Sequence, residues 1–229
     1  QADLGISEPS IGYVAPTRRA AEVSRTCSSP EDANACGNLD AWNPDPGTTL
    51  TILAVGPAVI EAAFPPGGEE RILHAVTPAV GNHPVDLELR GLQIAGGQQA
   101  SPSATRTVGG GCVATETTDL LIAAGVTIAD CTFITATYTA GAPGGGAVYV
   151  GGVFTSLSSS LFFNRSDLAD GGAVHAEEGV VLSDSVVTLN DAVGAASSGG
   201  GVYVNNPLVD VVFNVTTMNT NGTFITGNT

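Results

Sequence analysis

The chain has 229 residues, 43% of them hydrophobic, with 30 glycines and only 13% charged residues, so it carries the apolar material for a core and lacks the composition of a disordered chain. Its 22 acidic residues face seven basic ones, all arginine, for a formal net charge of −15; such a surface repels phosphate backbones and anionic head groups, so no nucleic acid partner is expected. No run of eighteen apolar residues occurs, and no transmembrane helix is expected.

The opening QADLGIS carries no basic-then-apolar leader and reads as what remains after removal of a signal peptide, which predicts an extracellular or cell-surface protein. Residues 1–48 are strewn with Pro, Asn and Asp and read as an N-terminal cap. Within it TRRAAEVSR (17–25) predicts a short helix with Thr17 at its N-cap. Cys27 and Cys36 flank the polar loop CSSPEDANAC, and a disulfide between them, formed in an oxidising compartment, would staple a region with little core of its own. Residues 49–108 supply irregular coils: the phrases TLTILAV, AVIEAAF and RILHAV read as strands, separated by Gly-Pro, Pro-Pro-Gly-Gly and His-Pro breaks.

From residue 109 the chain repeats itself. GGCVAT (110–115), GGAVYV (145–150), GGAVHA (171–176) and GGGVYV (199–204) follow one another at spacings of 35, 26 and 28 residues, a period that signals a solenoid. The pairs Gly110–Gly111, Gly145–Gly146, Gly171–Gly172 and Gly199–Gly200 predict sharp corners where a side chain would collide with the next coil. The short alternating phrases between them are strands, because helical repeats need longer runs than this glycine density permits. The fold class predicted is all-β, a right-handed parallel β-helix with an N-terminal capping segment over 1–48 and coils over 49–229, the regular ones at 109–229.

Aligning VTIADCTF (126–133), TSLSSSLF (155–162), VVLSDSVV (180–187) and NPLVDVVF (206–213) predicts three columns. Ile128, Leu157, Leu182 and Leu208 form one core ladder, Cys131, Ser160, Ser185 and Val211 a second, and Phe133, Phe162, Val187 and Phe213 a third. Asp130, Ser159, Asp184 and Asp210 take the bend position, where short polar side chains tolerate left-handed backbone. Tyr149, His175 and Tyr203 fall in one outward column as stacked surface rings. Cys112 and Cys131 sit inside apolar strand phrases and are expected as buried free thiols in preference to a second bridge.

The series LELRGLQIAGG (87–97), GGCV, GGAV, GGAV, GGGV resembles right-handed β-helix surface proteins, including the polymorphic outer-membrane-protein repeats with GGA[ILV] and FxxN signatures; LFFN (161–164) and VTLN (187–190) approximate the second. The resemblance spans residues 85–229 and implies a secreted or cell-surface location rather than any one activity.

The final phrase VTTMNTNGTFITGNT offers no lid for the last coil, and an uncapped solenoid end exposes unpaired backbone groups. Further coils of a longer chain, or head-to-tail docking on another copy into fibres, would cover it. Asn164, Asn214 and Asn221 stand in N-x-S/T sequons that can carry glycans, although such triplets arise readily by chance in this composition. Asp130, Asp184 and Asp210 are the only repeated acids, in bends and without a basic neighbour for an acidic sugar. The function expected is therefore a noncatalytic structural or adhesive surface solenoid without catalytic residues, cofactor or metal, open to glycan binding. The alternative is polysaccharide cleavage of the pectate lyase or polygalacturonase type, which needs paired carboxylates or a base with calcium.

Overall fold

A computed structural model describes residues 11–14, 39–41, 48–61, 71–75, 85–99, 109–115, 121–134, 144–205, 212–214, 224–226 and 228–229. The described residues are all-β, with 21 strands and no helix. Strand β1 (Ile11–Val14) precedes a β-solenoid-like stack of coils. The first coil holds β2 (Leu39–Ala41) and β3 (Thr48–Glu61). The second holds β4 (Leu73–Ala75), β5 (Val85–Ala95) and β6 (Gln98–Gln99). The third holds β7 (Val113–Thr115), β8 (Leu121–Ala124), β9 (Thr127–Ala129) and β10 (Thr132–Ile134). The fourth holds β11 (Val148–Val150), β12 (Val153–Leu157), β13 (Ser160–Phe162) and β14 (Arg165–Asp167). The fifth holds β15 (Val174–Ala176), β16 (Gly179–Ser183), β17 (Val186–Thr188) and β18 (Asp191–Val193). The sixth holds β19 (Val202–Val204), β20 (Val212–Asn214) and β21 (Phe224–Thr226).

Each coil pairs with the next in parallel, and the coils build three sheets: β19-β15-β11-β7-β4-β2, then β18-β14-β10-β6, then a large curled sheet ordered β20-β16-β12-β8-β5-β9-β13-β17-β21, with β3 beside β5. β2, which lies within the 1–48 segment, pairs in parallel with β4, so Leu39–Ala41 takes part in the coil structure. β1 alone runs antiparallel, along β3. The 17–25 segment and the Cys27/Cys36 loop lie outside the described residues.

Alternate residues of each strand point inward, and like positions stack at one strand spacing, about 4.8 Å. One interior ladder runs Leu50, Leu87, Leu121, Phe154, Val180, all buried. A second is Leu73, Val113, Val148, Val174, closed by the half-buried Val202. Full burial of each such side chain contributes about 1.5–3 kcal/mol, so the ladders are the main source of stability.

The columns expected over 126–213 are not those that form. Ile128 stacks on Leu161 and Leu161 on Val187, while Leu157 lies beside Ala124 and Ser183 and points outward, 40% exposed. In backbone register Leu182 pairs with Ser156 and Phe213, Phe133 with Ser166, and Phe162 with Ala129 and Thr188. Leu208 and Val211 lie outside the described residues. The cause is unequal coil length. Equivalent positions are 33 residues apart from the third to the fourth coil and 26 from the fourth to the fifth, whereas the aligned phrases imposed 29 and 25. The four-residue slip carries the alignment across the Ser158 bend from β13 into β12, and the one-residue slip turns every side chain of a strand to the opposite face.

The bends separate likewise into two corners. Gly56, Gly91, Gly125, Ser158 and Asp184 have positive φ at one; Gly96, Asp130, Phe163 and Leu189 at the other. Asp130 and Asp184 therefore belong to different corners, Ser159 lies inside, and Asp210 is outside the described residues. The glycine corners stack as a third series: Gly110, Gly145, Gly171 and Gly199 have φ between 68° and 87°. The amide of Gly146 donates to the carbonyl of Gly171, and that of Gly172 to Gly199. A Cβ on Gly146 would collide with the carbonyl of Gly172 and the backbone of Arg165, so the repeated letters mark places where successive coils touch backbone to backbone.

Candidate functional site

Polar side chains inside a solenoid must find partners, since an unpaired buried group costs about 1–3 kcal/mol. At the corner before β14 and β18, Asn164 and Asn190 are buried, and Asn228 continues their line. Asn164 Oδ1 accepts the Cys131 amide at 3.1 Å, Asn190 Oδ1 the Asn164 amide at 3.0 Å, and Asn228 Oδ1 the Asn190 amide at 3.0 Å. Their Nδ2 groups donate back to the carbonyls of Ile128, Leu161 and Val187. This asparagine ladder binds four coils. Asn164 is thus a buried structural residue whose Nδ2 is occupied and enclosed. Asn214 lies in β20 beside Ser183, and Asn221 outside the described residues.

At the other corner Ser159 and Ser185 do the same work. Ser159 Oγ accepts the Val126 amide at 3.0 Å, and Ser185 Oγ the Ser159 amide at 3.3 Å. Cys131 occupies the asparagine position in the third coil and is bonded to Cys112 across the interior, with Cα atoms 5.6 Å apart. The expected free thiols are corrected: both sulfurs are fully buried in one disulfide. It ties two corners of a single coil where that coil lacks the ladder side chain, and closing a loop of this size contributes roughly 3 kcal/mol.

A group of titratable side chains stands on β11, β15 and β19, on the face opposite the valine ladder. His74, Ala114, Tyr149, His175 and Tyr203 occupy one column, its rings 5.5 Å (Tyr149–His175) and 5.0 Å (His175–Tyr203) apart. The expectation of surface rings fails for His175, which is fully buried, and for Tyr149, which is buried as well; Tyr203 is half-buried. Its Nδ1 accepts the Gly144 amide at 3.1 Å, so the ring proton of the neutral imidazole sits on Nε2, 3.2 Å from Glu177 Oε1. Glu177 Oε1 also accepts the Tyr149 hydroxyl at 3.2 Å, and Oε2 the Asn205 amide at 2.8 Å. These contacts, His175 foremost, hold the Glu177 carboxyl below its ordinary value against the opposing effect of burial. Burial first, and then the negative charges of Asp170 and Glu177, push the Tyr203 hydroxyl up. Buried Asp170 accepts the Ser198 amide through Oδ1 at 2.7 Å.

Comparison of the chain with protein-family models, with curated proteins and with solved structures finds no match. The site is therefore read from its own geometry. Among the described residues no group of three His, Cys, Asp or Glu side chains is arranged to hold a metal ion, and no helix is long and apolar enough to cross a membrane. Sequence reasoning found the Tyr149–His175–Tyr203 column because it counts directly from the glycine motif. It missed Glu177, Asp170 and the asparagine ladder, although LFFN and VTLN both end on ladder asparagines.

Proposed function

We propose that the protein is a noncatalytic structural or adhesive β-solenoid of the extracellular space or cell surface, wound as a right-handed parallel β-helix of the kind its GGA[ILV]-like corners resemble. The observation that carries this reading is where the polar side chains go. Asn164, Asn190, Ser159, Ser185, Asp170 and His175 each bond to the coil above or below, so these buried polar side chains serve to hold coil on coil. The right hand is that of nearly all crossovers between parallel strands in one sheet. The buried disulfide fits an oxidising compartment. Among the described residues β19, β20 and β21 stand last in their sheet orders, and such edges suit further coils of a longer chain or the first coil of another copy.

The experiment is incubation of the protein with immobilised acidic and neutral polysaccharides, measuring retained protein together with released reducing ends and unsaturated products. The reading expects no release, whether or not protein is retained. Release that disappears in D130N or E177Q would overturn it in favour of polysaccharide cleavage.

A further inference from the structure

The sheet of β6, β10, β14 and β18 is bordered by large apolar side chains in costly positions. Phe163 and Leu189 follow one another at one corner, a step beyond the paired Phe162 and Thr188; they have φ of 55° and 56° and are 54% and 50% exposed. Leu168, φ 56° and 37% exposed, borders the other side of β14. Left-handed backbone is unfavourable for bulky residues, and so is apolar surface in water. The turn itself does not demand them, because Gly96 and Asp130 make the same corner in the second and third coils. Between these borders Arg165 stacks on Asp191 and Asp167 on Val193. Arg165 Nε bonds Asp167 Oδ1 at 2.6 Å, while its Nη1 stays 4.0 Å from Asp191 Oδ2, with both side chains about half exposed.

The face is complementary to itself between the fourth and fifth coils. A twofold axis along the strands, midway between those coils, sets each residue of one coil against the other coil's residue in a second copy. Phe163 then meets Leu189, Arg165 meets Asp191, and Leu168 meets Gly194, which follows Val193 as Leu168 follows Asp167. Large meets large at the ridge and plus meets minus at the centre, while at the far border the chain's own Leu168 already lies against Gly194. For a chain of net charge −15, two copies approach most readily where each offers an arginine to the other's aspartate. We infer that this face pairs two copies of the chain side by side in a closed, isologous dimer.

This interface is separate from the coil ends and does not depend on the noncatalytic reading; its absence would leave that reading standing. Sedimentation equilibrium over a concentration series, extended to millimolar protein, tests it. The parent chain is expected to show a reversible monomer–dimer equilibrium. F163G/L189G places glycine where φ is already positive, so folding is not compromised, and it is expected to raise the dimer dissociation constant at least about tenfold. R165D is expected to abolish the dimer, and R165D/D191R, which exchanges the two signs, to restore it. A parent chain that stays monomeric, open-ended polymers without a dimer, dimers of F163G/L189G as tight as the parent's, failure of the charge exchange to rescue, or a monomer that instead binds neutral lipid vesicles through Phe163 would each overturn it.

Discussion

Replacing Asn190 with alanine removes four side-chain hydrogen bonds from a buried corner: Oδ1 from the Asn164 amide and from Asn164 Nδ2, and Nδ2 to the Leu161 carbonyl and to Asn228 Oδ1. Each such bond contributes about 1 kcal/mol net, and a buried amide left without an acceptor costs about 1–3 kcal/mol in its own right, so a loss of about 3–5 kcal/mol is expected. That is a large share of the roughly 5–15 kcal/mol that a domain has. In urea, with a slope near 3 kcal/mol per molar for a chain of this size, the midpoint should fall by about 1–1.7 M. Asn205 supplies the control: it is exposed and gives Glu177 one bond, so N205A should cost no more than about 1 kcal/mol. Equal midpoints for N190A and N205A would refute the idea that the ladder holds the coils together.

The two leucines that the register separates should respond differently: L161A, at a fully buried site, is expected to cost about 2–5 kcal/mol, whereas L157A, at an outward one, should stay within about 0.5 kcal/mol, by the same urea assay. G146A puts a Cβ into the backbone of the neighbouring coil and should prevent folding or cost at least about 4 kcal/mol, while G125A, with φ of 61° and open space around it, should cost about 1–2 kcal/mol, read by circular dichroism and thermal melting. The depressed Glu177 carboxyl stabilises the fold in its charged form: that contribution is fully present above the ordinary glutamate value of 4.5 and is lost as pH falls through the lower folded value. Urea midpoints taken below pH 4.5 should therefore fall more steeply for the parent than for E177Q, and parallel curves would contradict the assignment.

The glycine corners were legible because their cause is local: where one coil's backbone rests on the next, only glycine fits, and the letters recur wherever the contact does. What lay between the corners was not legible in the same way. The third and fourth coils are offset by 33 residues, the fourth and fifth by 26, and Asn190 and Asn228 by 38, so extra residues enter at connections that no strand alternation marks. Ile128 could thus be aligned with Leu157 as easily as with Leu161, although the first points away from the core. The ladder asparagines resemble ordinary turn residues in sequence, since a buried Asn and a surface Asn leave the same letter. The burial of His175 depends on Glu177, Gly144 and its ring neighbours, which come from three coils. The Cys112–Cys131 bridge was obscured by its setting, because each cysteine lies in an apolar phrase and their proximity arises only when the coil closes.

The measurement closest to the central claim is the set of methyl–methyl nuclear Overhauser contacts in protein labelled at Ile, Leu and Val. Stacked coils in the register described here predict strong contacts from Ile128 to Leu161 and from Leu161 to Val187, with none from Ile128 to Leu157. Contacts joining Ile128 to Leu157 and Leu157 to Leu182, with those to Leu161 absent, would contradict it.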